Sequence, residues 1–550
     1  MAKEIAMKAL RTALTVILIV LPAAAAPFAL QDHDHGSPTG RLGTVHFTTS
    51  CREAVAQEFN RGVALLHSFW FSAAVQSFNT VLKGDPTCAM AHWGIAMSWW
   101  GNPFGASRSP QALQAGTAAI EKGKAARAGT EREQAYLAAV ETLFKDAATI
   151  PQRTRTLEYE KRMEALAARF PDDTEARIFY ALALDQTALP TDKTYSNQLK
   201  AAAILEKEFA LQPEHPGLAH YIIHSYDVPA LAPRALDAAR RYAKIAPDAP
   251  HALHMPSHTF TRVGAWQESI ETNLASAAAA RKDNAATEEL HALDYQVYAY
   301  LQTAQDAAAR ETMDRIAAVG ARIDASSPGA AAPPLAGYYA LAAIPARYAL
   351  ERNAWTDAAA LTPLGSPFAN AEAITHFARA LGAARSGNAG AASRSAEKLV
   401  SLRDTLQKAN DTYWAGQVDI QHRIATSWIA LAEGRQEEAL ATLREAADME
   451  DATEKSAVSP GPIKPARELL GEMLLELKRP ADALKEFEST MKKEPNRFRS
   501  VYGAARAAEA AGDRRAAVAH FARLVEISER ADAPGRPELQ EARKAARGGD

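Results

Sequence analysis

Cysteine is almost missing from this chain: its 550 residues hold only Cys51 and Cys88. Two cysteines so far apart exclude a haem-attachment pair. Charge of one sign is also missing. Lys and Arg total 62 against 65 Asp and Glu, a formal net charge of −3. There is no basic stripe and no long run of like charge, so the electrostatic footprint of a nucleic-acid binder is absent. Beyond the first residues no apolar stretch is long enough to span a bilayer. There is no Gly-rich phosphate loop and no nucleophile elbow. There is no zinc-protease helix motif, because Tyr221 rather than a glutamate follows His220.

What is present begins with a leader. Lys3, Lys8 and Arg11 precede an apolar run from Ala13 to Leu21, followed by Pro22 and Ala23 to Ala26. This layout predicts a cleaved secretory signal over residues 1–26, with an uncleaved anchor as the alternative. The protein is therefore expected outside the cytoplasm, periplasmic or extracellular. Removing Lys3, Glu4, Lys8 and Arg11 takes away a net +2, so −3 becomes −5. Residues 27–50, with His33 and His35, read as a flexible polar leader. Cys51 lies just before the first expected hairpin and Cys88 just after it. One hairpin returns the chain to its start, so a Cys51–Cys88 disulfide is expected, with two buried thiols as the alternative.

Alanine is abundant, and Pro and Gly fall mostly between apolar-periodic segments, which favours many short helices. A fixed period of about 34 residues runs through them. Gly471, Ala483 and Phe487 recur one period later as Ala505, Ala517 and Phe521, and Pro495 ends the first unit. Gly62, Ala74, Phe78 and Pro86 repeat the grammar near the start. Gly264 with Trp266, Asn353 with Trp355, Gly387 with Ala392 and Gly434 with Ala439 each open a second helix. A helix hairpin cannot bury its apolar face alone, so neighbours stack and share it. Residues 101–130 read as a long connection, 187–195 as an insertion, and 325–334 and 450–463 as linkers. The reading is thus an N-terminal array over 51–325, a C-terminal array over 335–530, and a frayed tail over 531–550.

On these slots the chain resembles the tetratricopeptide-repeat superfamily over most of residues 55–530. More narrowly, it looks like a group of large exported bacterial repeat proteins. The runs Gly62 to Trp70, Cys88 to Trp100, 215–262 and Pro460 to Leu470 carry that likeness. The resemblance implies an all-α, right-handed solenoid of stacked hairpins. It also implies a protein or peptide partner, because such solenoids serve many.

Six of the 15 histidines lie between 215 and 258: His215, His220, His224, His251, His254 and His258. His220 with His224, and His254 with His258, are i,i+4 pairs that share a helix face. Both members of the first pair recur in the second exactly one repeat later. In the family, first-helix positions 2, 5, 9 and 12 line the concave groove. The resemblance therefore implies that His220, His224, Asp227, His251, His254 and His258 face inward. It adds His291 and Asp294 from the next unit. Imidazole and carboxylate are ligands for Zn, Cu, Ni or Fe. A hydrogen-bonded polar core and a groove for an acidic peptide or small anion are the alternatives. Pro256 interrupts the second pair, so a helix starting at Met255 would leave His251 and His254 in a loop. Metal affinity is expected to fall as pH drops through about 6.5. Trp70, Trp93, Trp99 and Trp100 read as core. The functions that follow are an exported binding scaffold with a metal or ligand site, a pure protein–protein scaffold, or a metal-dependent hydrolase or oxidase.

Overall fold

Phe78 shows why these residues stack. Its ring is fully buried and lies against Gly62 of its own hairpin and Gly94 of the next. A Cβ on Gly62 would come within 2.8 Å of the ring, and one on Gly94 within 2.3 Å. Phe487 repeats the joint between Gly471 and Gly503, at 2.8 Å and 2.4 Å. The aromatic plate fills the gap that two small residues leave, and close helix approach follows.

The computed structural model describes residues 40–105, 108–126, 129–323 and 331–547. Every regular element among them is helical, and none is a strand. Successive helices pair into hairpins, from Ala56–His67 with Phe71–Gly84 to Phe498–Ala510 with Arg514–Ile527. This is the all-α repeat fold that the period predicts. Helix Ala286–Gln302 packs directly on Pro334–Leu350, so the first array runs into the second. The array then curls back on itself. Trp266 Nε1 donates to Asn496 O at 2.8 Å, and Arg536 pairs with Asp306 at 2.6 Å. The expected signal at 1–26, with His33 and His35, lies outside the described residues. So does most of the expected linker at 325–334.

Several expected loops are ordered, each because it carries residues that bury. Residues 40–50 of the expected leader form no regular element, yet bury Leu42, Val45 and Phe47. Phe47 meets Phe59 and Trp93 at 5.5 and 5.3 Å between ring centres. The connection over 101–130 contains helix Pro110–Ala126, whose Gly116 lets it approach Phe144. The tail forms helix Pro537–Arg547, with Leu539 and Ala542 buried and Tyr502 donating to Glu541 at 2.6 Å. Trp93 and Trp100 are core, as the repeat slots require, while Trp70 and Trp99 are partly buried against it. Cys51 and Cys88 are joined, with Cα atoms 4.9 Å apart. Among the described residues no helix is long and apolar enough to cross a membrane.

Candidate metal centre

The histidine pairs sit on helices Pro216–Ser225, Pro250–His254 and Pro256–Val263. The second pair does not fall into a loop. Pro256 has no N–H to give, yet Met255 keeps helical angles and its N–H donates to His251 O at 2.9 Å. The helix axis therefore continues through the proline, and His254 and His258 stay on one face. In both pairs the two Nε2 atoms are 3.1 Å apart.

In His220, His254 and His258 the far side of the ring fixes its proton. Helix Ala56–His67 ends at His67, so the His67 carbonyl has no partner within its own helix. His220 Nδ1–H donates to it at 2.6 Å. His254 Nδ1–H donates to Asn273 Oδ1 at 2.8 Å, and Asn273 Nδ2 donates to Ser269 O at 2.7 Å, which sets the amide's orientation. His258 Nδ1–H donates to Asp227 Oδ2 at 2.9 Å. A neutral imidazole with a proton on Nδ1 has only a lone pair on Nε2. His254 and His258 therefore point lone pair at lone pair. Burial keeps the rings neutral: it lowers His258, drives His224, His251 and His254 well below the usual imidazole range, and holds His220 and His291 at about 3.

Two further rings complete the cluster. His251 is buried with neither ring nitrogen bonded, and His291, on helix Ala286–Gln302, leaves Nδ1 unbonded. The donors form two groups, His220 with His224 and His251, and His254 with His258 and His291. Within each group the ligand atoms lie within 4.8 Å of one another. Two imidazoles bound to one zinc at about 2.0–2.1 Å hold their nitrogens roughly 3.4 Å apart. The 3.1 Å pairs are close to that spacing.

The two aspartates take other parts. Asp227 stands behind His258 and also accepts from Arg262 at 2.9 Å and Lys455 at 3.1 Å. Burial would raise its carboxyl, but Lys455, Arg262 and His258 outweigh that and hold it well below the usual range. It orients the imidazole, a common arrangement behind a metal-binding ring. Asp294 joins neither group. It pairs with Arg347 at 3.2 Å, because Arg347 is buried beside it and needs a counter-charge.

The centre is enclosed, where an open groove was expected. Residues 453–463, read above within a linker, fold into the curl of the solenoid. Lys455 reaches Asp227, Tyr295 OH donates to Ser459 O at 3.1 Å, and Arg347 donates to Gly461 O and Pro462 O at 2.8 and 2.7 Å. This strap also borders a cleft open to solvent. Phe377, Tyr413, Trp414, Ile420, Arg467 and Lys493 line it.

Sequence reasoning missed a third cluster. Glu175 accepts from His67 Nε2 at 2.9 Å and His215 Nε2 at 3.0 Å, and Tyr221 OH lies 2.9 Å from His67 Nδ1. Burial would raise Glu175, but the two histidines hold it at about 2. Only His215 Nδ1 lacks a bond, so this cluster is a polar network tying helices together. Gly217 is its one usable signal. A Cβ there would stand 2.5 Å from His67 Nδ1.

No family model and no curated protein matches the sequence. Solved structures do resemble the chain. The human IFIT1 dimer with m7Gppp-AAAA is 11% identical, covers 80% of this chain and 90% of its own, and has a TM-score of 0.37. The Cut9–Hcn1 hetero-tetramer of APC/C is 11% identical over 90% and 96%, with a TM-score of 0.29. The TPR domain of P58(IPK) is 14% identical over 68% and 99%, with a TM-score of 0.21.

Proposed function

We propose that this chain is an exported helical-repeat scaffold that binds a first-row transition metal in its enclosed histidine centre. The observation that carries the reading is the His254–His258 pair. Two Nε2 lone pairs 3.1 Å apart repel each other unless a cation lies between them, and hydrogen bonds on the far side fix both tautomers. Zn, Cu, Ni and Fe all accept imidazole. His220, His224, His251, His254, His258 and His291 would hold the ion. A bound ion would join adjacent repeats across the curl. The leader over residues 1–26 supports export, and the Cys51–Cys88 bond suits an oxidising compartment.

A protein or peptide partner is the second part of the proposal, and the cleft beside the strap supports it. Its aromatic floor suits an extended segment, while Arg467 and Lys493 on its wall are paired with Asp448, Asp451 and Glu486. A purely structural scaffold is the competing reading, and the bonded cluster around Glu175 shows what its histidines would look like. Elemental analysis of protein purified from its own compartment tests the metal directly. Stoichiometric first-row metal, lost in a His220→Ala/His258→Ala variant that still folds, is the expected result. Metal-free protein that takes up none of Zn, Cu, Ni or Fe on incubation would leave the structural scaffold.

A further inference from the structure

Resting on the metal-binding reading, we infer that the centre holds two ions, one in each three-histidine group, and that it is built for monovalent copper.

The count of two follows from the arrangement of rings. Each group is hinged on one histidine. Around His220, the rings of His224 and His251 lie at 4.8 and 5.0 Å between centres. Around His254, those of His258 and His291 lie at 5.0 and 4.4 Å. Both hinge residues donate their Nδ1–H to an amide-type oxygen, His67 O or Asn273 Oδ1, which leaves Nε2 for an ion. Ring centres lie 6.1 Å apart for His251–His254 and 6.2 Å for His224–His258, and 6.2 Å also for His258–His291 inside the second trio. The count therefore rests on the ligand atoms, which lie within 4.8 Å of one another inside each trio. The recurrence of the pair at the repeat length has a physical meaning here: each repeat brings one pair, and a neighbouring residue supplies the third ring.

The charge of the ion follows from what surrounds it. All six donors are neutral imidazoles, and no thiolate or carboxylate belongs to either group. The charged groups facing the centre are few. Asp227 touches His258, Arg262 and Lys455 both press on Asp227, and Arg262 also faces Glu454 at 3.9 Å, so these four sum to zero. Glu288 lies 4.0 Å from His251 Nδ1. Asp294 is paired with Arg347. Two divalent ions would bring four positive charges into a buried centre whose charged neighbours offer little compensation, and the desolvation cost of an ion rises with the square of its charge. Two monovalent ions bring half the charge at a quarter of that cost each. Copper is the first-row metal with a stable monovalent state, and three imidazoles give it a complete trigonal shell.

The full-length chain, freed of metal and handled without oxygen, would be titrated with cuprous ion presented as its bicinchoninate complex. A parallel sample would receive zinc chloride. We expect two copper ions per chain after gel filtration, and retention of copper when equal zinc is present. His251→Ala and His291→Ala should each drop the count from two to one. Wild-type stoichiometry alone is decisive if either variant misfolds. One copper per chain would overturn the paired site. Zinc displacing cuprous ion would overturn the selection of a monovalent ion. Neither of those results touches the metal-binding reading. That reading falls only if folded wild type retains no metal of any kind.

Discussion

Two regions of this solenoid bury polar groups in the same place, the inner side of the first helices, and treat them differently. In the C-terminal hairpins Glu468 is fully buried, yet its oxygens are taken up by Arg497 at 3.0 Å, by Lys464 at 3.2 Å and by Ser500. In the hairpins carrying 216–263, the buried rings are bonded on one side only, and His251 is bonded on neither. A buried polar cluster is therefore not in itself a site. A cluster whose members consume one another's capacity holds helices together, whereas one that leaves lone pairs converging has capacity for a ligand.

The sharpest break of the comparison is Arg497→Met. It strands the Glu468 and Glu351 carboxylates in the interior, and should cost about 3–5 kcal/mol in urea unfolding with no change in metal uptake. Phe487→Ala and Phe78→Ala test what the two regions share. Each ring fills the same joint between two glycines, so each should cost about 3–5 kcal/mol. A cost near zero at either would mean that the joint is not a common element.

Metal should act on one region only. At a free metal concentration a hundred times Kd, binding adds about 2.7 kcal/mol to stability. A thermal melt should show that gain in wild type and in Lys464→Met, and lose it in His220→Ala/His258→Ala. The same shift in the histidine variant would make those rings structural.

Acid sharpens the contrast in the metal-free protein. His220 and His291 titrate at about 3 when folded, because burial disfavours their charged forms, against 6.5 for a free imidazole. Below pH 6.5 the unfolded chain takes up protons that the folded chain refuses. Their contribution is thus whole above 6.5 and is lost as pH falls from 6.5 toward 3. The midpoint of thermal unfolding should drop through that window, and drop less in a His220→Ala/His291→Ala variant. The smallest effect belongs to the rim of the strap. Lys193 pairs with Glu454 at 2.7 Å but is partly exposed, so Lys193→Ala should cost less than about 1 kcal/mol.

Much of this was legible in the sequence, residue by residue. Gly62, Phe78, Gly471 and Phe487 marked the joints, because only small residues facing an aromatic permit such close helices. His220 with His224 and His254 with His258 marked two helix faces, because i,i+4 spacing depends on local geometry alone. His67 and Glu175 were illegible, since they meet His215 from distant hairpins with no common period. The strap falls within 450–463, which read as a linker because its Asp, Ser and Pro are turn-formers. Nothing local says that its carbonyls will be taken up by Arg347 and Tyr295.

The sequence by itself determined the repeat, the pairing of helices, the cysteine pair and the faces on which histidines lie. All of these depend on contacts within one hairpin or between neighbours, where spacing converts directly into direction. Only the tertiary structure decided that the solenoid curls until Trp266 meets Asn496, and that the strap enters the curl. It also decided that Asp227 supports a ring while Asp294 answers Arg347. Those outcomes depend on the summed small rotations of many stacked hairpins. No single period in the chain records that sum.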